Sequence, residues 1–378
     1  MKVGIDARLL TGPVTGIGRY TAELTDELIQ QPGTFFLYSP RPIVVGDWRH
    51  ANVTLRAGGF RRRMGGMLWS QTALPYWAAR DRVDLFWGTT HRLPRYLPAS
   101  VARVVTIHDL VWKHAGETMR PLSRWVERRL MPEAVRLADR IIADSASTAG
   151  DLEAEYPEAR GRVCVVNPGG STLPAPLGRE ALVAMGVERP YILFVGTLEP
   201  RKNLRRLLRA YALLDGAVRA RHQLVITGGR GWGGVDIHAL IREAGLDGQV
   251  VATGYVDDRQ LATLYAHACF LAMPSLYEGF GLPLVEAMGF GVPVLTSNVA
   301  SMPDVAGDAG LLVNPLDEHA IAAGLSSLLT DANHREGLAS RAKANAERFS
   351  WHKAARETWA VMEEAVEVRR RRLRGSGH

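Results

Sequence analysis

Glu278 and Glu286 stand eight residues apart in the segment PSLYEGFGLPLVEAMGFGVPVLTSN. A charged carboxylate accepts hydroxyl hydrogen bonds strongly, so a pair of them suits the hydroxyls of a sugar. Between them, the backbone of Gly279, Phe280, Gly281 and Leu282 can approach phosphate closely, because two of the four residues lack a Cβ. A cluster of opposite sign, Arg201-Lys202, lies in GTLEPRKN. Two cations at a helix start stabilise the charge that develops on a departing diphosphate. His108-Asp109 closes the run ARVVTIHD, and Gly16-Ile17-Gly18 makes a turn near the N-terminus. Taken alone, His108 reads equally as a satisfied core histidine, the glycine turn as an ordinary loop, and Glu286 as electrostatic support for a helix N-terminus.

These residues need strands and helix starts to hold them. Apolar runs KVGIDA, FFLYS, DLFWG, ARVVTIHD, RIIADS and VCVVNPG alternate with helical patterns, clearest from Arg19 and over Leu122–Leu137. A Pro- and Gly-rich stretch, 167–188, reads largely as a linker. A second series then follows: YILFVG, QLVITGG, VVATGYV, CFLAMPS, PVLTSN and GLLVNP. Such alternation predicts α/β architecture with two parallel, doubly wound sheets. The expected domains are 1–178 and 179–349, with a helix over 350–378 crossing back to the first. Glu278 then lies on the loop after a strand, and Glu286 about one turn inside the next helix, with Pro283 in its first turn. Open α/β sheets bind ligands at such strand ends.

Composition narrows the function classes. The chain has 378 residues, 47% hydrophobic and 22% charged, with strand-sized apolar runs and no transmembrane or signal segment. Cys164 and Cys269, the two cysteines, read as reduced, buried thiols of a cytoplasmic protein, and no Cys/His spacing suggests zinc. The net charge of +7 is uneven: residues 1–178 carry 23 Lys/Arg against 17 Asp/Glu, and the rest 23 against 22. A basic half suits an anionic partner. The stretch Gly58–Arg82, with Arg61, Arg62, Arg63 and Trp69, has the composition of a membrane-surface element. It equally suits a core-facing helix beside a solvated basic loop. A non-catalytic nucleic-acid binder accounts for the charge but not for the glutamate pair or GTLEPRKN.

The order GIGRY, THDL, GTLEPRKN, GYV and the paired glutamates resembles the retaining GT-B glycosyltransferases of family 4, and within it the mannosyltransferase B-like branch of bacterial O-polysaccharide synthesis. The resemblance covers nearly the whole chain. It implies two Rossmann-like domains facing across a cleft, and hexose transfer from a nucleotide sugar to a growing, lipid-linked glycan. GDP-mannose is the donor favoured by the branch, with no cofactor, no metal and no nucleic acid. It places Glu278 and His108 at the hexose, Glu286 on the ribose, Lys202 with Arg201 on the diphosphate, and Gly16 facing the donor. The loop at Tyr255 and Val256 would lie against the base. Asp257 or Asp258 would accept from guanine or serve as helix N-caps. Where some members carry Arg after the strand's glycine, this chain has Thr197. A GT-B epimerase acting on the same sugar nucleotides without an acceptor is the alternative.

Overall fold

The computed structural model describes residues 1–12, 16–58 and 65–375, the side chains of 65–67 excepted. The chain forms two compact units. The first comprises 1–110, 125–169 and 350–378, and the second 111–124 and 170–349.

The first unit holds seven parallel strands in the order β3-β2-β1-β4-β5-β6-β7. They are β1 (Lys2–Asp6), β2 (Thr34–Ser39), β3 (Val53–Ala57), β4 (Leu85–Gly88), β5 (Ala102–Ile107), β6 (Arg140–Ala143) and β7 (Val163–Val165). Central strands are apolar throughout because helices cover both faces of the sheet: Val3, Ile5, Leu85, Phe86, Val104 and Val105 are all fully buried. Strand β3 was absent from the expected series. It forms the sheet edge and stays half-exposed, so VTLRA lacks the continuous apolar run that marks its neighbours.

The long helix Trp351–Gly375 belongs to this unit. Its buried residues, among them Trp351, Ala355, Thr358, Met362 and Ala365, recur at helical spacing. Asp139, wholly buried, accepts from Arg369 and Arg372 of this helix at 2.8 and 3.0 Å, and from the Arg103 N–H at 2.9 Å. A buried carboxylate is tolerated when it is paired and saturated with donors in this way.

The second unit holds six parallel strands in the order β10-β9-β8-β11-β12-β13. They are β8 (Tyr191–Val195), β9 (Gln223–Thr227), β10 (Val250–Gly254), β11 (Phe270–Met273), β12 (Val294–Ser297) and β13 (Gly310–Val313). Strands 8 to 10 run outward on one side and 11 to 13 on the other, so the order reverses between β8 and β11. Ile192 and Leu193 pair there with Phe270 and Leu271. Both cysteines are half-buried and unpaired.

Candidate active site

A reversal of strand order opens a crevice at the C-terminal ends of the two strands involved, where α/β sheets take ligands. Two loops leave that point in the second unit. After β8, the short helical turn Pro200–Lys202 carries Arg201 and Lys202. After β11, the chain runs through Tyr277 and Glu278 into the helix Leu282–Gly289. The Leu276 N–H donates to the Arg201 carbonyl at 2.8 Å, joining the two loops.

Glu278 receives both cations. Lys202 Nζ lies 2.6 Å from its Oε1, and Arg201 donates to Oε2. Glu278 and Lys202 are each 6% exposed. Burial alone would raise the Glu278 pKa, but Arg201 and Lys202 reverse this and hold it at about 2. Burial draws the Lys202 pKa down, and Glu278 opposes that shift without cancelling it. Glu199 pairs with the other edge of Arg201, at 3.0 Å.

Backbone conformation aims this cluster. Asn203 takes a left-handed conformation, φ +61, which Asn tolerates better than most residues. Its amide donates to the Pro274 and Pro315 carbonyls at 2.9 and 2.7 Å, tying the end of GTLEPRKN to the β11 loop. Gly281 caps the next helix at φ +100, and a Cβ there would meet Met302 at 2.9 Å. Ser301 Oγ lies 2.9 and 3.0 Å from the Glu278 and Phe280 carbonyls, which braces the same loop.

Glu286 sits inside that helix and accepts from two hydroxyls, Tyr265 at 2.7 Å and Ser171. It is therefore a hydroxyl acceptor held apart from the cation cluster. Tyr255, after β10, is 62% exposed, and Val256 is half-buried. Asp257 is the N-cap of the helix Asp258–Ala266, with a full capping box to Gln260. That bond commits its carboxylate to the backbone.

In the first unit, Gly16 caps the helix Ile17–Leu28 at φ +46. His108 follows β5 and is buried, with both ring nitrogens engaged: Nδ1 lies 2.6 Å from Asp144 and Nε2 lies 3.0 Å from the Thr89 carbonyl. Burial pulls the His108 pKa down. The Asp144 carboxylate, the Thr89 carbonyl and Asp109 outweigh it, so the ring binds its proton more tightly than a free histidine. Tyr20 packs edge-on against it at 4.7 Å. The backbone N–H of His108 donates to His91 Nε2 at 2.9 Å.

Residues 184–345 match the profile described as glycosyl transferases group 1, and residues 14–172 match glycosyltransferase family 4. The O-antigen chain mannosyltransferase B of Escherichia coli is 33% identical, over 95% of this chain and 98% of its own. The chain belongs to the family 4, group 1 glycosyltransferases.

A D-inositol 3-phosphate glycosyltransferase of Streptomyces avermitilis is 33% identical over 68% of this chain and 58% of its own. Among solved structures, sucrose-phosphate synthase from Thermosynechococcus elongatus superposes with a TM-score of 0.78 at 20% identity, over 96% of this chain and 98% of that one. WaaG, a glycosyltransferase involved in lipopolysaccharide biosynthesis, gives 0.76 at 18%, over 96% and 99%. These neighbours share the GT-B fold of two Rossmann-like domains.

One expectation for this glycosyltransferase needs restating. Trp69 does not face a membrane: it is fully buried, edge-on to Trp77 at 6.2 Å and capped by the Arg8 guanidinium at 5.3 Å. An indole completes the unit's core there because the helix turns that side inward. Arg61, Arg62 and Arg63 lie outside the described residues. Among the described residues, no helix is long and apolar enough to cross a membrane, and no group of three or more His, Cys, Asp or Glu is placed to hold a metal.

Sequence reasoning passed over Ser171, Tyr265, Asn203 and Asp144. Asn203 had a local signal, an Asn closing a turn before a helix. The other three are distant in the chain from the residues they bind and carry no motif.

Proposed function

We propose that this glycosyltransferase moves mannose from GDP-mannose to a lipid-linked polysaccharide acceptor, with retention of anomeric configuration and without a metal. The observation that carries the chemistry is the buried Arg201–Lys202–Glu278 cluster at the strand-order reversal. A diphosphate arriving there competes with Glu278 for the two cations. Arg201 and Lys202 turn to the phosphates and neutralise the charge that grows as the glycosidic bond breaks. Glu278, released from them, accepts hydroxyls of the hexose. The helix start at Gly281 and Leu282 adds backbone donors, and the loop at Tyr255 and Val256 lies against the base. Glu286, already a hydroxyl acceptor, exchanges Ser171 for the ribose.

The acceptor binds to the first unit, with Gly16 and His108 on its side. His108 meets the sugar by exchanging the Thr89 carbonyl at Nε2 for a hydroxyl, while Asp144 keeps its charge. The acceptor oxygen attacks the face the diphosphate leaves, and the diphosphate takes its proton. Similarity over nearly the full length to an O-antigen mannosyltransferase supports the choice of sugar.

Thermal stabilisation by GDP, UDP and ADP tests the donor. GDP is expected to stabilise most, approaching about 2.7 kcal/mol at a hundredfold excess over its dissociation constant. A larger shift with UDP or ADP overturns GDP-mannose. Transfer in EDTA should run at an undiminished rate, and product NMR should show the α-anomer. An isomerised sugar nucleotide formed from donor alone supports the epimerase instead.

Glu286 should act on affinity. Glu286→Gln removes a charged acceptor, so the dissociation constant for the nucleoside diphosphate should rise about tenfold or more. At saturating donor, turnover should change little. Calorimetric titration beside steady-state rates separates the two, and unchanged affinity removes Glu286 from the nucleotide site.

A further inference from the structure

We infer that His91 is a positioning residue for His108: its bare Nε2 receives the His108 backbone N–H and fixes where that imidazole stands. The inference rests on the proposed role of His108 at the sugar and adds the group that aims it.

The segment 89–92 follows β4 and lies against the end of β5, where the His91 backbone N–H donates to the Thr106 carbonyl at 3.2 Å. It holds His108 at two points. The Thr89 carbonyl meets the ring at Nε2, 3.0 Å away, and His91 Nε2 meets the backbone N–H at 2.9 Å. The two imidazoles lie 5.3 Å apart, centre to centre. Thr148 Oγ1 donates to the carbonyl of the same residue at 3.3 Å.

This arrangement costs free energy. His91 is buried and left-handed, φ +58. Strain of that kind persists only where the surroundings enforce it, and it gathers at functional sites. Here they enforce it: a Cβ on Gly88 would run into the Arg92 carbonyl, and Thr89 Oγ1 donates to the Asp6 carbonyl at 2.7 Å. A backbone N–H can only donate, so His91 Nε2 carries no proton and Nδ1 carries the ring's one. Nδ1 faces Glu127, 3.6 Å from Oε2, and Arg92 donates to Glu127 Oε1 at 3.0 Å. A carboxylate at Nδ1 selects that tautomer. Arg92, Glu127 and His91 thus act in series on one N–H, which a single carbonyl or water would have satisfied.

In the proposed reaction His108 Nε2 leaves the Thr89 carbonyl for a hydroxyl. The ring is then held by Asp144 at Nδ1 and, through its backbone, by His91. Without His91 the imidazole can shift, and a displacement of about 1 Å costs on the order of a hundredfold in rate.

The test compares His91→Gln with His91→Leu. Both bear the same backbone strain, and only Gln offers an acceptor at the reach of Nε2. GDP-mannose serves as donor and octyl α-mannoside as acceptor. His91→Leu should lose on the order of tenfold to a hundredfold in kcat, with the donor KM and the thermal shift given by GDP unchanged. His91→Gln should recover most of that rate. The double variant His91→Leu/His108→Ala should lose no more than His108→Ala alone, because one residue acts through the other. Glu133→Gln, on the same helix as Glu127 but paired with Arg95, should turn over as wild type does.

Imidazole nitrogen NMR of the histidine-labelled full chain needs no sugar. It should show His91 with a bare Nε2, and His108 signals that move in His91→Leu and return in His91→Gln. A proton on His91 Nε2, or His108 signals unmoved in His91→Leu, overturns the proposal. So does a wild-type rate in His91→Leu, a loss that Gln does not recover, or full additivity in the double variant. Normal turnover of His108→Ala overturns the reading on which this one rests, and the imidazole signals tell that failure from a failure of the His91 contact itself.

Discussion

Lys202→Ala is expected to lower kcat/KM for sugar transfer by about two to three orders of magnitude, the range for loss of one preorganised donor to a developing anion. The expectation comes from placement. Lys202 Nζ is 2.6 Å from Glu278 in a site from which water is nearly excluded. There a charge acts far more strongly than in solvent. Folding should suffer less than turnover, because Arg201 still pairs with Glu278 in the variant. Steady-state kinetics beside a circular dichroism melt check both halves. A normal rate in a normally folded variant removes Lys202 from the chemistry.

Glu278→Gln should be more costly to stability and comparably costly to turnover. It leaves two buried cations, Arg201 and Lys202, without the anion between them. The carboxyl titrates at about 2 in the folded chain against a reference of 4.5. A depression of that size corresponds to about 3 kcal/mol. Because the folded pKa is lowered, this stabilisation is present above about pH 4.5. It is lost as pH falls through the window down to about 2. Urea unfolding of wild type should therefore weaken by roughly that amount across the window, relative to Glu278→Gln. Parallel curves for the two proteins would place the source of acid sensitivity elsewhere. Turnover of the variant should fall on the order of a thousandfold, since in the proposed reaction Glu278 holds the two cations until the donor arrives and then takes hydroxyls of the hexose.

Much of this cluster was legible in the sequence. Glu278, Glu286, Arg201 and Lys202 sit in short motifs at strand ends, and parallel strands buried on both faces announce themselves as unbroken apolar runs. The edge strand β3 escaped because half of its surface meets water. Asp257 could not be separated from a base-binding residue until its capping box was seen, since an N-cap and a ligand contact ask for the same side chain. His108 was legible as a strand-end residue. Its closed pair of hydrogen bonds to Asp144 and Thr89 was not, because both partners come from other strand ends.

The sequence by itself determined the α/β alternation, the two series of strands, the family and the motifs that carry Arg201, Lys202 and Glu278. These follow from local periodicity and from motifs whose spacing is short. Tertiary structure alone decided which of them touch. Lys202 and Glu278 are 76 residues apart and meet because β8 lies beside β11, an adjacency set by how the whole sheet is ordered. It also decided the fates of neighbours: Leu68 is turned to solvent and Trp69 to the core, though both are apolar. Burial is a property of the face a helix presents to the sheet, and a single residue's chemistry does not carry that information.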